Sequence, residues 1–189
     1  MPAAVAFVGI APGRFGGDRT GTPFSGDRSG RLLREMIARA GLDRVFITNL
    51  VRCNPRDARG RNRDPGGDEV SNCRGHLAAE LAIARPRVIV CLGRIAWKEL
   101  AGAANPFSPK IPPMKRADGT LLYPMYHPAY VNRGAYSLRR YSRDFKRLAD
   151  LVGSSHVSHS EKSDPGQRAA IAQKPLSSGI SREIDSVCS

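Results

Sequence analysis

Short apolar runs alternate with amphipathic segments through most of the chain. The apolar runs are four to six residues long, which is typical of buried strands. They lie at residues 5–9, 45–50, 87–92 and 121–126. Between and after them, apolar residues recur every three or four positions, as on one face of a helix. This spacing predicts helices over 32–40, 70–81, 95–100 and 136–152.

Three stretches lack such periodicity and are rich in Gly, Pro or Arg, so we interpret them as loops. They are the Gly-rich segment (residues 11–30), the Arg-rich segment (residues 52–67) and residues 102–119, the last of which form a loop or a hairpin. The alternation of strands and helices predicts an α/β fold, a three-layer α/β/α sandwich around a four-stranded, mostly parallel sheet.

Ligands of such sheets bind at the carboxyl ends of the strands. There the predicted strands deliver residues 9–11, Thr48, Asn49 and His127. The convergence of these residues is the reason to expect a site at this edge of the sheet.

The sequence changes character after residue 153. Residues 154–189 are Ser-rich and aperiodic, and their four basic and four acidic residues balance. We therefore predict a folded domain over 1–153 and a disordered tail over 154–189.

Composition adds an indication of the partner. The formal net charge of the 189-residue chain is +13, which favours a polyanion such as DNA. No stretch approaches the ~20 apolar residues that a membrane span requires, and no secretory leader is visible. We expect a cytoplasmic monomer without a membrane partner.

The first chemical motif is the segment Gly9-Ile10-Ala11-Pro12-Gly13 together with the Gly-rich segment that follows. Small residues let a ligand approach the backbone closely. The segment contains neither of the common phosphate-binding glycine patterns, so we expect no nucleotide cofactor. It does contain Asp18 and Phe24, a carboxylate and a ring that suit a flipped base. Asp18 could otherwise be a loop-capping residue.

The second motif begins with His127-Pro128, directly after the last predicted strand, and continues to Arg133 and Gly134. A single histidine is more often structural than catalytic. Its place at the carboxyl edge, beside the other strand ends, favours a functional role.

The two motifs, with Ile47-Thr48-Asn49 and the apolar run that ends at Gly93, resemble the uracil-DNA glycosylase superfamily over residues 5–152. The likeness is to its bacterial and archaeal iron–sulfur branches, often called families 4 and 5. Ile10 stands where family 4 has an acid, so the first motif is closer to family 5, or type b.

The resemblance implies a monofunctional glycosylase that flips uracil, or another deaminated base, out of DNA and hydrolyses its glycosidic bond. The backbone of Gly9, Ile10, Ala11, Pro12 and Gly13 would line the base pocket. Phe24 would stack on the base, Asn49 would read its O4 and N3 edge, and His127 would stabilise charge on O2. Asp18 would activate water and stabilise the sugar cation. For DNA contact we single out Arg19, Arg56 and Arg133.

The cysteines match the resemblance only in part. Cys53 and Cys73 correspond to two of the four ligands of the [4Fe–4S] cluster that the family carries. The other two belong to a C-x-x-C pair ahead of the first strand, which this sequence lacks. We therefore expect a chain truncated at its N-terminus, or a lineage without the cluster. Cys91, inside an apolar run, is predicted to be a core residue.

Two other classes of function stay open. One is a DNA-binding protein with the glycosylase fold but no activity, and the other is a nucleotide-binding enzyme that uses the Gly-rich segment for phosphate.

Overall fold

The computed structural model describes residues 2–157, which form five strands and six helices. The strands are β1 (Val5–Gly9), β2 (Val45–Asn49), β3 (Val88–Leu92), β4 (Met114–Lys115) and β5 (Leu121–Met125). They form one sheet in the order β2-β1-β3-β5-β4, in which the first four are parallel. The α/β class and the four parallel strands are thus confirmed.

The sheet has a fifth strand that the sequence analysis missed. Strand β4 pairs antiparallel with β5, through Met114 opposite Leu122 and Lys115 opposite Leu121. The turn between them is closed by a backbone hydrogen bond from Arg116 to Thr120. A two-residue strand shows no alternation of apolar and polar positions, so the sequence predicts a loop or hairpin over 102–119 but not a fifth strand.

The helices are α1 (Gly17–Thr20), α2 (Arg28–Arg39), α3 (Gly67–Ala84), α4 (Arg94–Ala101), α5 (Pro128–Asn132) and α6 (Leu138–Val157). The four long helices agree with the predicted ones. The Gly-rich segment, in contrast, is not entirely loop, because it contains α1 and the first turn of α2. Helix α6 continues four residues past the predicted domain boundary at 153, and the rest of the predicted tail lies outside the described residues.

Alternate residues of the central strands point to opposite faces of the sheet, and each face has its own core. Val5 and Phe7 of β1 pack in one cluster with Leu33 of α2 and Phe145 of α6. Val8, the next residue along β1, belongs to the other cluster, which contains residues of α3 and α4. The two clusters make the fold a three-layer sandwich.

The strand register aligns the carboxyl ends of the sheet. Gly9, the last residue of β1, pairs with Asn49, the last residue of β2. Gly93 follows β3, and its amide donates to the carbonyl of Met125 at the end of β5. Met125 is the last residue of β5, and His127 follows two residues later. None of the helices in residues 2–157 combines the length and the apolar character needed to cross a bilayer.

Candidate active site

A cavity of about 200 Å³ lies at the carboxyl edge of the sheet. Asn49 and His127 both line it, as the convergence of the strand ends predicts. Its other walls come from the Gly-rich segment, the start of α2, the Arg-rich segment and α5. They are Ile10, Ala11, Pro12, Gly13, Gly17, Phe24, Asp27, Ser29, Asn54, Pro55, Asn62, Arg63, Asp64 and Ala129. The volume suits a single base better than a nucleoside triphosphate.

Asn49 is a buried polar residue with an unsatisfied acceptor. Its side chain is at the end of β2, the residue is 2% exposed, and among the described residues its Oδ1 has no hydrogen-bond partner. Buried polar atoms are nearly always paired, so an orphaned acceptor in a cavity wall indicates a ligand donor. This fits the predicted base-reading role of Asn49.

Gly9 does not line the cavity itself, but it lets two lining side chains meet. A Cβ built at this position would lie 2.5 Å from Asn49 Oδ1 and 2.5 Å from the ring of Phe24. No side chain fits in that space. Gly9 was predicted to line the base pocket; instead it lies outside the cavity wall, where the absence of a side chain lets the amide and the ring lie close together.

Phe24 holds its ring in the cavity at the cost of an unfavourable backbone. Its φ of 53° lies in the left-handed region, which a residue with a bulky side chain rarely adopts. Arg34 holds the residue in place, since its Nε donates to the Phe24 carbonyl at 3.0 Å. The ring centroid lies 5.4 Å from that of His127, with 39° between the planes. Backbone strain of this kind is commonly found at functional sites.

His127 precedes α5 and is fixed by it. Its Nδ1 accepts a hydrogen bond from the backbone N–H of Ala129 at 3.1 Å, so in the neutral ring the proton is on Nε2. Burial of the ring lowers the pKa of His127 to about 4, an effect that Asp27 opposes and Arg133 reinforces. At neutral pH the residue is therefore an uncharged imidazole whose Nε2–H can donate.

Two acidic residues, Asp27 and Asp64, line the cavity, whereas Asp18 does not. Asp18, the predicted catalytic acid, pairs with Arg56 at 2.5 Å, and its side chain is 27% exposed. It is absent from the cavity walls among the described residues. Asp27, which the sequence analysis did not single out, does line the cavity. Its Oδ1 accepts from the Gly30 amide at 2.7 Å and so caps α2.

The glycines of the Gly-rich segment are packed around Asp27. A Cβ on Gly16 would lie 2.5 Å from Asp27 Oδ2, and one on Gly13 would lie 3.1 Å from the same oxygen. The signal that could have identified Asp27 is an Asp near the end of the Gly-rich segment, a few residues before the predicted helix over 32–40, where helix-capping residues occur. What the sequence does not reveal is that the capping carboxylate also faces a cavity.

Polar contacts join the Arg-rich segment to the Gly-rich segment and close the cavity on one side. Asn54 Nδ2 donates to the Pro12 carbonyl at 2.8 Å, and within the Arg-rich segment it also donates to Asn62 Oδ1 at 3.1 Å. Arg14 Nη1 donates to the Gly60 carbonyl at 3.1 Å. The Asp18–Arg56 ion pair joins the same two segments.

The three arginines predicted to contact DNA have different surroundings. Arg133 follows α5 and lines a groove beside the cavity. Arg19 is exposed on α1, whereas Arg56 is engaged by Asp18. Arg133 and Arg19 are therefore placed to meet a phosphate directly, and Arg56 would first have to leave its partner.

The cysteines do not provide a cluster site by themselves. Cys73 is buried in the core between the sheet and α3, and Cys53 lies partly exposed in the Arg-rich segment. In residues 2–157 no group of three or more His, Cys, Asp or Glu side chains is placed to hold a metal ion. A [4Fe–4S] centre uses four ligands, so the residues present do not fit one. Cys91 is fully buried in β3, and burial raises its pKa to about 12, which confirms it as a core residue.

Comparison with known proteins gives a consistent result. The sequence model of the Uracil DNA glycosylase superfamily matches residues 2–150. The type-4 uracil-DNA glycosylase of Archaeoglobus fulgidus is 38% identical over 164 residues, which cover 80% of this chain and 78% of the relative. The type-5 uracil-DNA glycosylase of Pyrobaculum aerophilum is 34% identical over 173 residues, 81% of this chain and 74% of the relative. The type-4 enzyme of Thermotoga maritima is 34% identical over 152 residues, with 78% and 73% covered.

Proposed function

The chain belongs to the uracil DNA glycosylase superfamily, and from this premise we propose that it removes uracil from DNA by hydrolysing the N-glycosidic bond. The observation that carries the proposal is the pairing, in one base-sized cavity, of the orphaned Asn49 acceptor with the neutral His127 donor. Each complements one edge of a uracil ring.

Asn49 provides the selection of the base. Its Oδ1 can accept from N3–H of uracil, and its Nδ2 can donate to O4. Cytosine carries an unprotonated N3 and an amino group at these positions, so both contacts would be lost and the buried acceptor would face another acceptor. Phe24 would hold the flipped base by stacking on its face.

His127 supports the bond-breaking step. As the bond between sugar C1′ and uracil N1 breaks, the electron pair goes to the base and negative charge develops on O2. A neutral Nε2–H that is already fixed by the Ala129 contact stabilises this charge without reorganisation. The sugar becomes an oxocarbenium-like cation, and water then adds its oxygen to C1′.

The sugar cation and the attacking water both require a carboxylate nearby. Asp18 is the residue that the sequence resemblance predicts, and it is tied to Arg56 outside the cavity wall. We favour Asp27, since it lines the cavity and lies close enough to His127 to affect its pKa. A carboxylate there would stabilise the cation and accept the proton that water loses.

The test is release of uracil from a single-uracil oligonucleotide, scored as abasic sites, by the parent and by three variants. Asp27→Asn should slow release about a hundredfold or more while keeping the helix cap, because asparagine caps equally well. Asp18→Asn should slow it less, and Asp43→Asn, an exposed acid elsewhere, should not slow it. The reverse order of Asp27→Asn and Asp18→Asn would assign the catalytic role to Asp18.

A parent that binds the oligonucleotide and releases no uracil would overturn the glycosylase proposal and leave a DNA-binding protein with the same fold. The net charge of +13 supports DNA as the partner under either reading. Action on other deaminated bases, the monomeric state, the cytoplasmic location and the iron–sulfur cluster stay predictions.

A further inference from the structure

A groove of about 480 Å³ adjoins the base cavity and shares three of its wall residues, Asp27, Ser29 and Ala129. The remaining walls are formed by the turn before α1, the start of α2 and the end of α5. They are Phe15, Gly26, Arg28, Arg31, Asn132 and Arg133. If a base of a DNA strand occupied the cavity, the next nucleotide of that strand would therefore have an open groove available to it.

Phe15 is a large apolar side chain held out in solvent at the edge of this groove. It is 68% exposed, whereas Phe24, the other phenylalanine of the Gly-rich segment, is 9% exposed. The turn that presents it is defined, since the Gly16 amide donates to the Gly13 carbonyl at 2.9 Å. The guanidinium of Arg14 stands 5.2 Å from the centre of its ring. An exposed ring on an ordered turn is available for stacking.

The charge of the groove is positive. Arg28 and Arg31 stand on the first turn of α2, and Arg133 follows α5. No ion pair within residues 2–157 engages any of these three arginines. The one acid of the groove, Asp27, already accepts a hydrogen bond from the Gly30 amide. Three available guanidinium groups beside an exposed ring are the combination that proteins use to hold unpaired nucleotides.

We propose that this groove binds the nucleotide next to the flipped uracil, with its base stacked on Phe15 and its phosphates held by Arg28, Arg31 and Arg133. The proposal rests on the proposed function, because it takes the cavity to hold uracil. The neighbouring base must be unpaired to reach Phe15. The groove therefore favours single-stranded DNA, or duplex DNA opened around the lesion.

The experiment measures binding and single-turnover uracil release with a single-stranded oligonucleotide. Phe15→Ala should weaken both about tenfold, the worth of one stacked base, and Phe15→Trp should retain them. Ile83→Ala is the matched control, since Ile83 is 80% exposed on α3, away from the groove, and this variant should behave like the parent.

A second substrate series tests the stack itself. The base on the 5′ side of uracil, and then the base on the 3′ side, is replaced by an abasic analogue. On one of the two sides the replacement should cost the parent about tenfold and cost Phe15→Ala nothing further. Equal losses in the parent and in Phe15→Ala on both sides would overturn the proposal, as would a Phe15→Ala protein that binds and cuts like the parent.

Two further outcomes separate this proposal from others. A Phe15→Ala loss confined to fully paired duplex DNA would make Phe15 a wedge in the helix and overturn the stacking proposal. If the parent releases no uracil, the proposed function fails. The same series, measured by binding alone, then decides whether Phe15 stacks on a base.

Discussion

Two cavities of the protein differ in size and in chemistry: the larger is mostly aliphatic, and the smaller contains the polar groups of the candidate site. The larger, of about 670 Å³, lies between α3, α4 and the hairpin of β4 and β5. Most of its walls are aliphatic, including Leu50, Val70, Leu77 and Leu100. The smaller, of about 200 Å³, lies at the carboxyl edge of the sheet and contains Asn49, His127 and Asp27.

The comparison teaches that volume does not mark the site. Polar side chains also line the larger cavity, among them those of Arg74, Glu99 and Asp118. Two of these, Arg74 and Glu99, face each other at 3.9 Å. The smaller cavity instead holds an orphaned acceptor and an imidazole with a strongly shifted pKa. Substitutions around the smaller cavity should therefore change catalysis, and those around the larger one should change stability.

The largest expected effect is at His127. His127→Asn keeps a side chain that can cap α5 but removes the Nε2–H donor, so uracil release should fall about 10²–10³-fold. The melting temperature should change little. Single-turnover kinetics measure the rate of uracil release, and thermal melting of the same preparation measures stability. A fall in the rate of less than tenfold would show that His127 is not the donor to O2.

A substitution in the larger cavity should produce the opposite result. Leu77→Ala removes a buried side chain from the wall and should lower the free energy of unfolding by about 2–4 kcal/mol. The rate of uracil release per folded molecule should be unchanged. Urea denaturation and an active-site titration are the measurements, and a fall in the rate constant would link the two cavities.

His127 in the smaller cavity should also make the stability of the fold depend on pH. Because the pKa of His127 falls from 6.5 to about 4 on folding, the unfolded chain binds a proton between these values and the folded protein does not. Stability should therefore fall as the pH drops through this window, by up to about 1.4 kcal/mol per pH unit, and level off below it. The measurement is the parent's stability minus that of His127→Asn, and a constant difference from pH 7 to pH 4 would contradict the shifted pKa.

The smallest effect is expected from partial filling of the larger cavity. Ala78→Leu adds aliphatic volume to its wall and should raise the free energy of unfolding by up to about 1 kcal/mol, with no change in uracil release. Ala79→Leu is the matched control, since Ala79 is exposed on the same helix and does not line the cavity. Equal stabilisation by both would indicate helix propensity as the cause.

The sequence predicted the parts of the fold that repeat a pattern over several residues. The four parallel strands and the four long helices have enough apolar positions to define a period. The elements that were missed are short: α1 has four residues, β4 has two, and α5 has five. These depend on tertiary contacts, such as the pairing of β4 with β5, which a local pattern does not contain.

For the site, the sequence predicted residues whose position follows from the end of a strand. Asn49 and His127 are in this class, and the structure brings both to one cavity. The positions of Asp27 and Asn54 do not follow from a strand end. Both lie in loops, and they reach the cavity only because those loops fold against parts of the chain that are distant in sequence. The exposure of Phe15 also could not be predicted, because it depends on the turn that holds the ring out from the core.

The contacts that join the Gly-rich and Arg-rich segments have a consequence for partial unfolding. Because Asn54, Arg14 and Arg56 each bridge the two segments, we expect the segments to open together, as one cooperative unit less stable than the sheet. Hydrogen exchange would then report one common opening free energy for both. A molecule with these segments open would lose the base pocket and its DNA contacts together. Mild heat or denaturant should therefore abolish activity before it reduces selectivity for the base.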